Sequence, residues 1–430
     1  MAFVIIVSVI VCVGIIACVI FLPELRIGKL RVAPYWLVAL LGAVIVVIGG
    51  GISLPALMDR FVADTAVNPL KILGVFFGMT VLSVFLDEAG FFAYLASVAL
   101  FRSGKSQSRL FTVFYFTVAI LTVFTSNDII ILTFTPFVIY FCRNAKIDCK
   151  PYLIAEFAAA NTFSMLLIIG NPTNIYLAAG VDFLHYALVM APPAILTGTV
   201  CFFLIKRLFR KSLAEPIGQG GRIVPIKDKP LAFVSLGLLA VCTIMLAISG
   251  YIGLEMWYIA LSGGVAIVVF ACIYCAIRQR FVFAARGLRR VPWQLAPFLL
   301  SMFTIVSALS GKGVTAAIGG FLNCGEFSVL TYLVASVLGA NLLNNIPMSV
   351  LFGAILEGAS EGALFATVIG SNLGALLTSV GALAGIMWSK MLKTEHVEFT
   401  FKDFVKNGAI IVAAALPAAA LGLYFSLWVF

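Results

Sequence analysis

The sequence predicts an all-α polytopic membrane protein: two inverted repeats, about ten transmembrane helices, two re-entrant hairpins and two broken helices. Three observations predict it. Apolar residues make up 63% of the 430 positions and charged residues only 11%, against roughly 25% charged in a soluble domain. Apolar runs such as Ala2–Leu22, Trp36–Leu54 and Leu231–Ser249 reach the length of about 20 residues that a helix needs to cross a hydrocarbon core. Polar interruptions fall inside the longer runs at matching places in the two halves of the chain.

The first run, Ala2–Leu22, has no basic leader and no small-residue cleavage site, and Pro23-Glu24-Leu25-Arg26 follows it directly. It reads as a retained span and not as a signal peptide. With Arg26, Lys29 and Arg31 placed in the cytoplasm, the basic clusters Arg102–Arg109, Arg143–Lys150, Lys206–Lys229, Arg278–Arg290 and Lys390–Lys406 fall on the same side. Of the 28 Lys and Arg, all but Arg60, Lys71 and Lys312 are then cytoplasmic. That bias predicts a multi-pass protein of the cell's inner (plasma) membrane with both termini outside. The net charge of +10 therefore reports topology and contact with the lipid bilayer, and no nucleic-acid partner is implied.

Spans near 2–22 and 34–54 precede a long segment at 70–101, interrupted by Asp87-Glu88-Ala89-Gly90. The stretch 110–142 starts and ends at basic clusters and carries Thr125-Ser126-Asn127-Asp128 in its middle. Two spans of that combined length would be short, so a hairpin entering and leaving on one side is expected. Segment 151–181 is broken at Gly170-Asn171-Pro172-Thr173-Asn174, and a span at 184–206 returns to the cytoplasm. Residues 1–206 form the N-terminal repeat. Residues 207–230, with Pro216, Gly218, Gly220, Gly221 and Pro225, read as a cytoplasmic linker.

Residues 231–430 form the C-terminal repeat. Spans near 231–249 and 253–277 lead to 293–322, interrupted at Ser310-Gly311-Lys312-Gly313. The second hairpin, 327–356, carries Leu343-Asn344-Asn345. Segment 362–389 is broken at Thr378-Ser379-Val380-Gly381, and the last span lies near 407–428. The register agrees between halves: Met79 precedes Gly90 by the same spacing as Met302 precedes Gly313, and Asn161 precedes Gly170 as Asn372 precedes Gly381. Inverted repeats with discontinuous helices at mid-membrane are the mark of secondary transporters.

Irregular backbone at membrane depth survives only where protein buries it or a wet cavity needs it. The tips and breaks therefore supply the candidate solute-binding groups: Ser126, Asn127, Asn171, Thr173, Asn174, Asn344, Asn345, Asn372, Thr378 and Ser379. The same residue types also serve as helix caps and turn formers. Candidate ion-coupling groups are Asp128 at the first tip, and Asp87 and Glu88, because an ionisable group within a span is costly. A polar helix break is the alternative reading for Asp87 and Glu88. Glu156, one turn from a basic cluster, is expected at the surface.

His185 and His396 lie near membrane faces, and Cys272 with Cys275 reads as packing. No catalytic motif, phosphate loop or metal-ligand cluster is visible, so no enzyme activity and no cofactor are expected beyond a coupling ion, proton or sodium.

At these residues the chain resembles the ion-transporter superfamily, and within it the arsenite-pump membrane subunit (ArsB) and ArsB/NhaD-type permeases. The similar elements are Asp87–Gly90, Ser126-Asn127-Asp128, Gly170–Asn174, Leu343–Pro347, and Gly370–Gly374 leading to Thr378–Gly381. The resemblance covers nearly the whole chain. It implies ion-coupled, elevator-like transport of an oxyanion or a metalloid hydroxide such as arsenite. A homodimer and a cytoplasmic ATPase subunit are partners to be expected of such a chain. Sodium–dicarboxylate symporters of the superfamily carry Ser-Asn-Thr at both tips, which this chain does not. A sodium/proton antiporter or a sodium-coupled carboxylate symporter, moving a citrate-like anion, stays open as an alternative. A membrane-embedded enzyme is the remote one, with Asp128 beside Asp87 or Glu88 as its only acid pair.

Overall fold

The computed structural model describes residues 1–22, 25–27, 30–65, 67–102, 104, 106–217, 223–278 and 281–430. Pro23, Glu24 and Lys29 of the first basic turn, Lys105, Gly218, Gly220 and Gly221 of the expected linker, and Arg280 lie outside the described residues.

The N-terminal half runs α1 (Ala2–Phe21), a two-stranded antiparallel ribbon pairing Leu25–Ile27 with Leu30–Val32, α2 (Tyr35–Ile48), α3 (Leu54–Val62), α4 (Pro69–Glu88), α5 (Phe91–Arg102), α6 (Gln107–Phe124), α7 (Asn127–Ala145), α8 (Lys150–Phe163), α9 (Pro172–Leu177) and α10 (Phe183–Leu208). After the short α11 (Arg210–Leu213) come α12 (Lys229–Ala247), α13 (Ser249–Ile252), α14 (Met256–Ile277), α15 (Phe281–Arg290), α16 (Leu295–Gly311), α17 (Val314–Leu322), α18 (Ser328–Leu343), α19 (Asn345–Ile355), α20 (Glu361–Leu377), α21 (Leu383–Thr394) and α22 (Phe401–Val429). Among the described residues, 9 helices are long and apolar enough to cross a membrane, and shorter apolar helices include Tyr35–Ile48 and Glu361–Leu377. The chain is an all-α multi-pass membrane protein.

The repeat is visible in element order. From α4 to α10 and from α16 to α22 the same sequence recurs: a span, a glycine turn, a short helix, a hairpin, a stem helix, a break and a final span. Gly90 ends α4 at φ 85° and Gly313 follows α16 at φ 76°. Both turns need the left-handed conformation that glycine adopts without steric cost. The arms of the first hairpin, 18 and 19 residues, are longer than the sequence pattern suggests, because α6 begins at Gln107 and α7 runs on to Ala145.

The chain forms two compact units. One comprises Met1–Leu73, Tyr176–Gly180 and Pro292–Ile386, and the other Gly74–Ile175, Val181–Val291 and Met387–Phe430. Each draws on both halves of the sequence and holds one hairpin.

In the unit with the second hairpin, α20 is buried from Gly362 to Leu376 apart from a half-buried Leu364, and packs closely along α18. Gly370 and Gly374 make this approach, since a Cβ on Gly370 would lie 1.8 Å from Ser336 Oγ. Small residues four apart let helix backbones meet where no hydrophobic force drives them together. In the other unit α8 plays the corresponding part, buried from Pro151 to Thr162 with α6, α7 and α10 against it. This overturns the expected surface position of Glu156, which is wholly buried. Three helices close over α8 immediately after its first turn, so nearness to a polar loop does not expose it.

Candidate functional site

Two polar centres result, one in each unit. At the first hairpin, α6 ends at Thr125 and α7 starts from Ser126, whose side chain makes no capping hydrogen bond. Asn127 is buried and its Nδ2 donates to Asn161 Oδ1 in the middle of α8, at 3.2 Å. Asn161 Nδ2 in turn donates to the Phe157 carbonyl. The amide ties the tip to the stem helix. Beyond α8, two short 3-10 turns, Ser164–Leu166 and Ile168–Gly170, unwind the chain before α9. Asn174 holds this break, its Nδ2 donating to the carbonyls of Ser164 at 2.8 Å and Leu167 at 3.2 Å. Asn171 Oδ1 accepts from the Thr173 N–H. The Thr173 hydroxyl is buried without a hydrogen-bond partner.

Between α4, this tip and this break lies a small open cavity, with free room for about one water molecule. Thr80, Ser83, Thr125 and Ser126 line it with hydroxyls; Phe76, Met79, Phe124, Ile169, Pro172 and Ile175 supply apolar wall. No charged side chain lines it. Thr125 Oγ1 donates to the Leu121 carbonyl, which leaves its lone pairs for a ligand. Thr80 and Ser83, three apart on one face of α4, were not foreseen from the sequence. Two hydroxyls at helical spacing in the apolar middle of α4 were the available signal.

Asp128 sits in the first turn of α7 and is partly exposed. Its N–H donates to Asn127 Oδ1, and the positive end of the helix dipole favours its carboxylate. It does not line the cavity. Asp87 and Glu88 lie at the end of α4, which is itself long enough to span. Both are buried and held by α15: Arg290 pairs with Asp87 and, at 3.0 Å, with Glu88, and Arg286 reaches Glu88 at 3.2 Å. Two carboxylates buried beside two guanidiniums form a satisfied ionic lock.

The second centre is closed by its own amides. Asn344 takes φ 75° and ψ 151°, a region almost reserved for glycine. Its Nδ2 donates to the Val380 carbonyl at 2.9 Å and the Asn345 N–H to the Gly381 carbonyl at 3.0 Å. One turn earlier, Asn341 Nδ2 donates to the Gly374 carbonyl and its Oδ1 accepts from Thr378 Oγ1 at 2.7 Å. Asn372 donates to the Val368 carbonyl, as Asn161 does to Phe157. Ser379 is buried at the break, and Asn345 Oδ1 is buried without a hydrogen-bond partner. The structure thus brings tip and break together within each unit.

Discontinuous helices around buried amides, within an array of apolar spans, define a membrane transporter. The chain belongs to the CitMHS family: residues 16–365 match the model described as "Citrate transporter". It is 29% identical over 420 residues to an arsenical pump membrane protein of Escherichia coli, covering 90% of this chain and 94% of the relative. The arsenical pump membrane protein of Yersinia enterocolitica is 28% identical over 377 residues, 82% of this chain and 86% of that protein. An uncharacterised transporter of Mycobacterium tuberculosis is 24% identical over 427 residues, 94% of this chain and 95% of that protein. In fold, the chain is similar to the YdaH transporter of Alcanivorax borkumensis, with a TM-score of 0.58, 14% identity, and coverage of 99% of this chain and 98% of that one.

Proposed function

We propose that the chain is an ion-coupled secondary transporter of a small, uncharged metalloid hydroxide of the arsenite type. The observation that carries this reading is the cavity at the first hairpin, ringed by four hydroxyls and free of charged side chains. Arsenous acid is neutral near pH 7 and presents only hydroxyl groups, which such a ring can satisfy as donors and acceptors. A multiply charged carboxylate would enter without a compensating cation, and desolvating each charge costs several kcal/mol. The names of the arsenical-pump relatives support the same substrate. The distribution of Lys and Arg supports an inner-membrane placement with both termini outside.

The test is arsenite accumulation in everted vesicles energised by a proton gradient, with and without an uncoupler. The expected result is accumulation that the uncoupler abolishes and that excess citrate does not inhibit. Sodium-dependent citrate uptake with indifference to arsenite would replace this reading with a carboxylate symporter.

A further inference from the structure

We propose that Glu156, buried in the stem helix α8, is a proton-carrying group that couples transport to the proton gradient. This rests on the reading of the chain as a proton-coupled transporter and adds to it a residue that neither tip nor break contains.

Glu156 is wholly buried on α8. Its Oε1 lies 3.0 Å from Thr135 Oγ1 on α7, and its Oε2 has no hydrogen-bond partner. The Thr135 hydroxyl also lies 2.6 Å from the Ile131 carbonyl oxygen. A hydroxyl has one proton to give. With that proton on the carbonyl, the shorter of the two contacts, the link to Glu156 is closed by a proton on the carboxyl itself. The charged groups on the helices packed against α8 are Asp128 and Arg143 on α7, Arg109 on α6, His185, Lys206 and Arg207 on α10, and Lys390, Lys393, Lys402, Asp403 and Lys406 on α21 and α22, which meet Phe157 through Trp388 and Phe404; Lys150 opens α8 itself. None forms an ion pair with Glu156 among the described residues. Arg143 is engaged by Glu395. The tyrosines and cysteines on these helices, Tyr115, Tyr152, Tyr186, Cys142 and Cys201, are buried. A carboxylate without a cation in such surroundings is costly, and a neutral acid is not.

The surroundings also offer a route to exchange. Pro136 lies inside α7 directly after Thr135. Its missing N–H leaves the Leu132 carbonyl without its helical partner, which weakens the helix at this turn. Opening α7 there separates Thr135 from Glu156 and admits water to the acid. The same two helices meet at the tip through Asn127 and Asn161. Movement of α7 that disturbs the cavity rim is therefore transmitted to Glu156, one and a half turns along α8 from Asn161.

The test compares wild type, Glu156→Gln and Asp128→Asn in proteoliposomes by two readouts. Infrared spectra across a pH titration report the carbonyl stretch of a protonated carboxyl without any solute. Transport is followed with arsenite or citrate, whichever wild type accumulates, both as gradient-driven uptake and as solute exchange at equal pH. The expected result is loss of the protonated-carboxyl band and of driven uptake in Glu156→Gln, with exchange retained; Asp128→Asn keeps the band. A band that persists in Glu156→Gln would overturn the proposal. So would driven uptake equal to wild type, or loss of exchange together with driven uptake, which marks a structural role. Wild-type protein that accumulates citrate and not arsenite would refute the metalloid reading alone.

Discussion

The two hairpins have the same plan and opposite finish. At the second, three hydrogen bonds join tip and break, Asn344 to Val380, Asn345 to Gly381 and Thr378 to Asn341, and Asn345 Oδ1 is left buried without a partner. At the first, one amide pair anchors the tip to the stem, and hydroxyls of α4, Thr125 and Ser126 face an open cavity. A repeat supplies the geometry twice, but side chains decide which copy lines a cavity with hydroxyls. Buried polar groups satisfied by protein rigidify a site, whereas those left open need a solute or water.

The largest expected effect therefore belongs to the closed hairpin. Asn344→Ala keeps the unfavourable backbone conformation and abandons the Val380 carbonyl, and should cost about 3 kcal/mol. Asn127→Ala should cost about 1 kcal/mol. Thermal unfolding of the purified proteins in detergent compares them, and equal losses would break the distinction. Next comes Gly370→Ala, which pushes a methyl group into Ser336 and should cost about 2 kcal/mol by the same measurement. The ion-pair cluster, which belongs to neither hairpin, calibrates the scale. Arg290→Ala leaves Asp87 without its guanidinium while Arg286 still pairs with Glu88, and should cost about 2 kcal/mol. Arg286→Ala, with its side chain 61% exposed, should change stability by about 0.5 kcal/mol.

Much of this was legible in the sequence because the bilayer imposes it. Long apolar runs have to be helices, and a polar cluster such as Ser126-Asn127-Asp128 inside one has to be a turn. The glycine turns at Gly90 and Gly313, the hairpin tips and the second break fall where the repeated spacing puts them, whereas the first break opens earlier than expected, at Ser164, and closes into α9 at Pro172. Tertiary pairing was not legible. Asp87 and Glu88 read as candidate coupling acids along the chain, and their pairing with Arg286 and Arg290 of α15, far away in sequence, was not visible there. Glu156 reads as a surface residue because sequence gives depth along a helix but not how many neighbours close over it. Thr80 and Ser83 were missed because α4 has no break of its own. Their importance comes from lying opposite one.

Solute binding at the cavity of the first hairpin is tested most directly by saturation of arsenite uptake. Thr80→Val with Ser83→Ala removes two cavity hydroxyls, and Asn345→Ala alters the closed tip. The half-saturation concentration is expected to rise about tenfold or more in the first variant, with that of the second unchanged. An unchanged value in the first and a raised one in the second would contradict it.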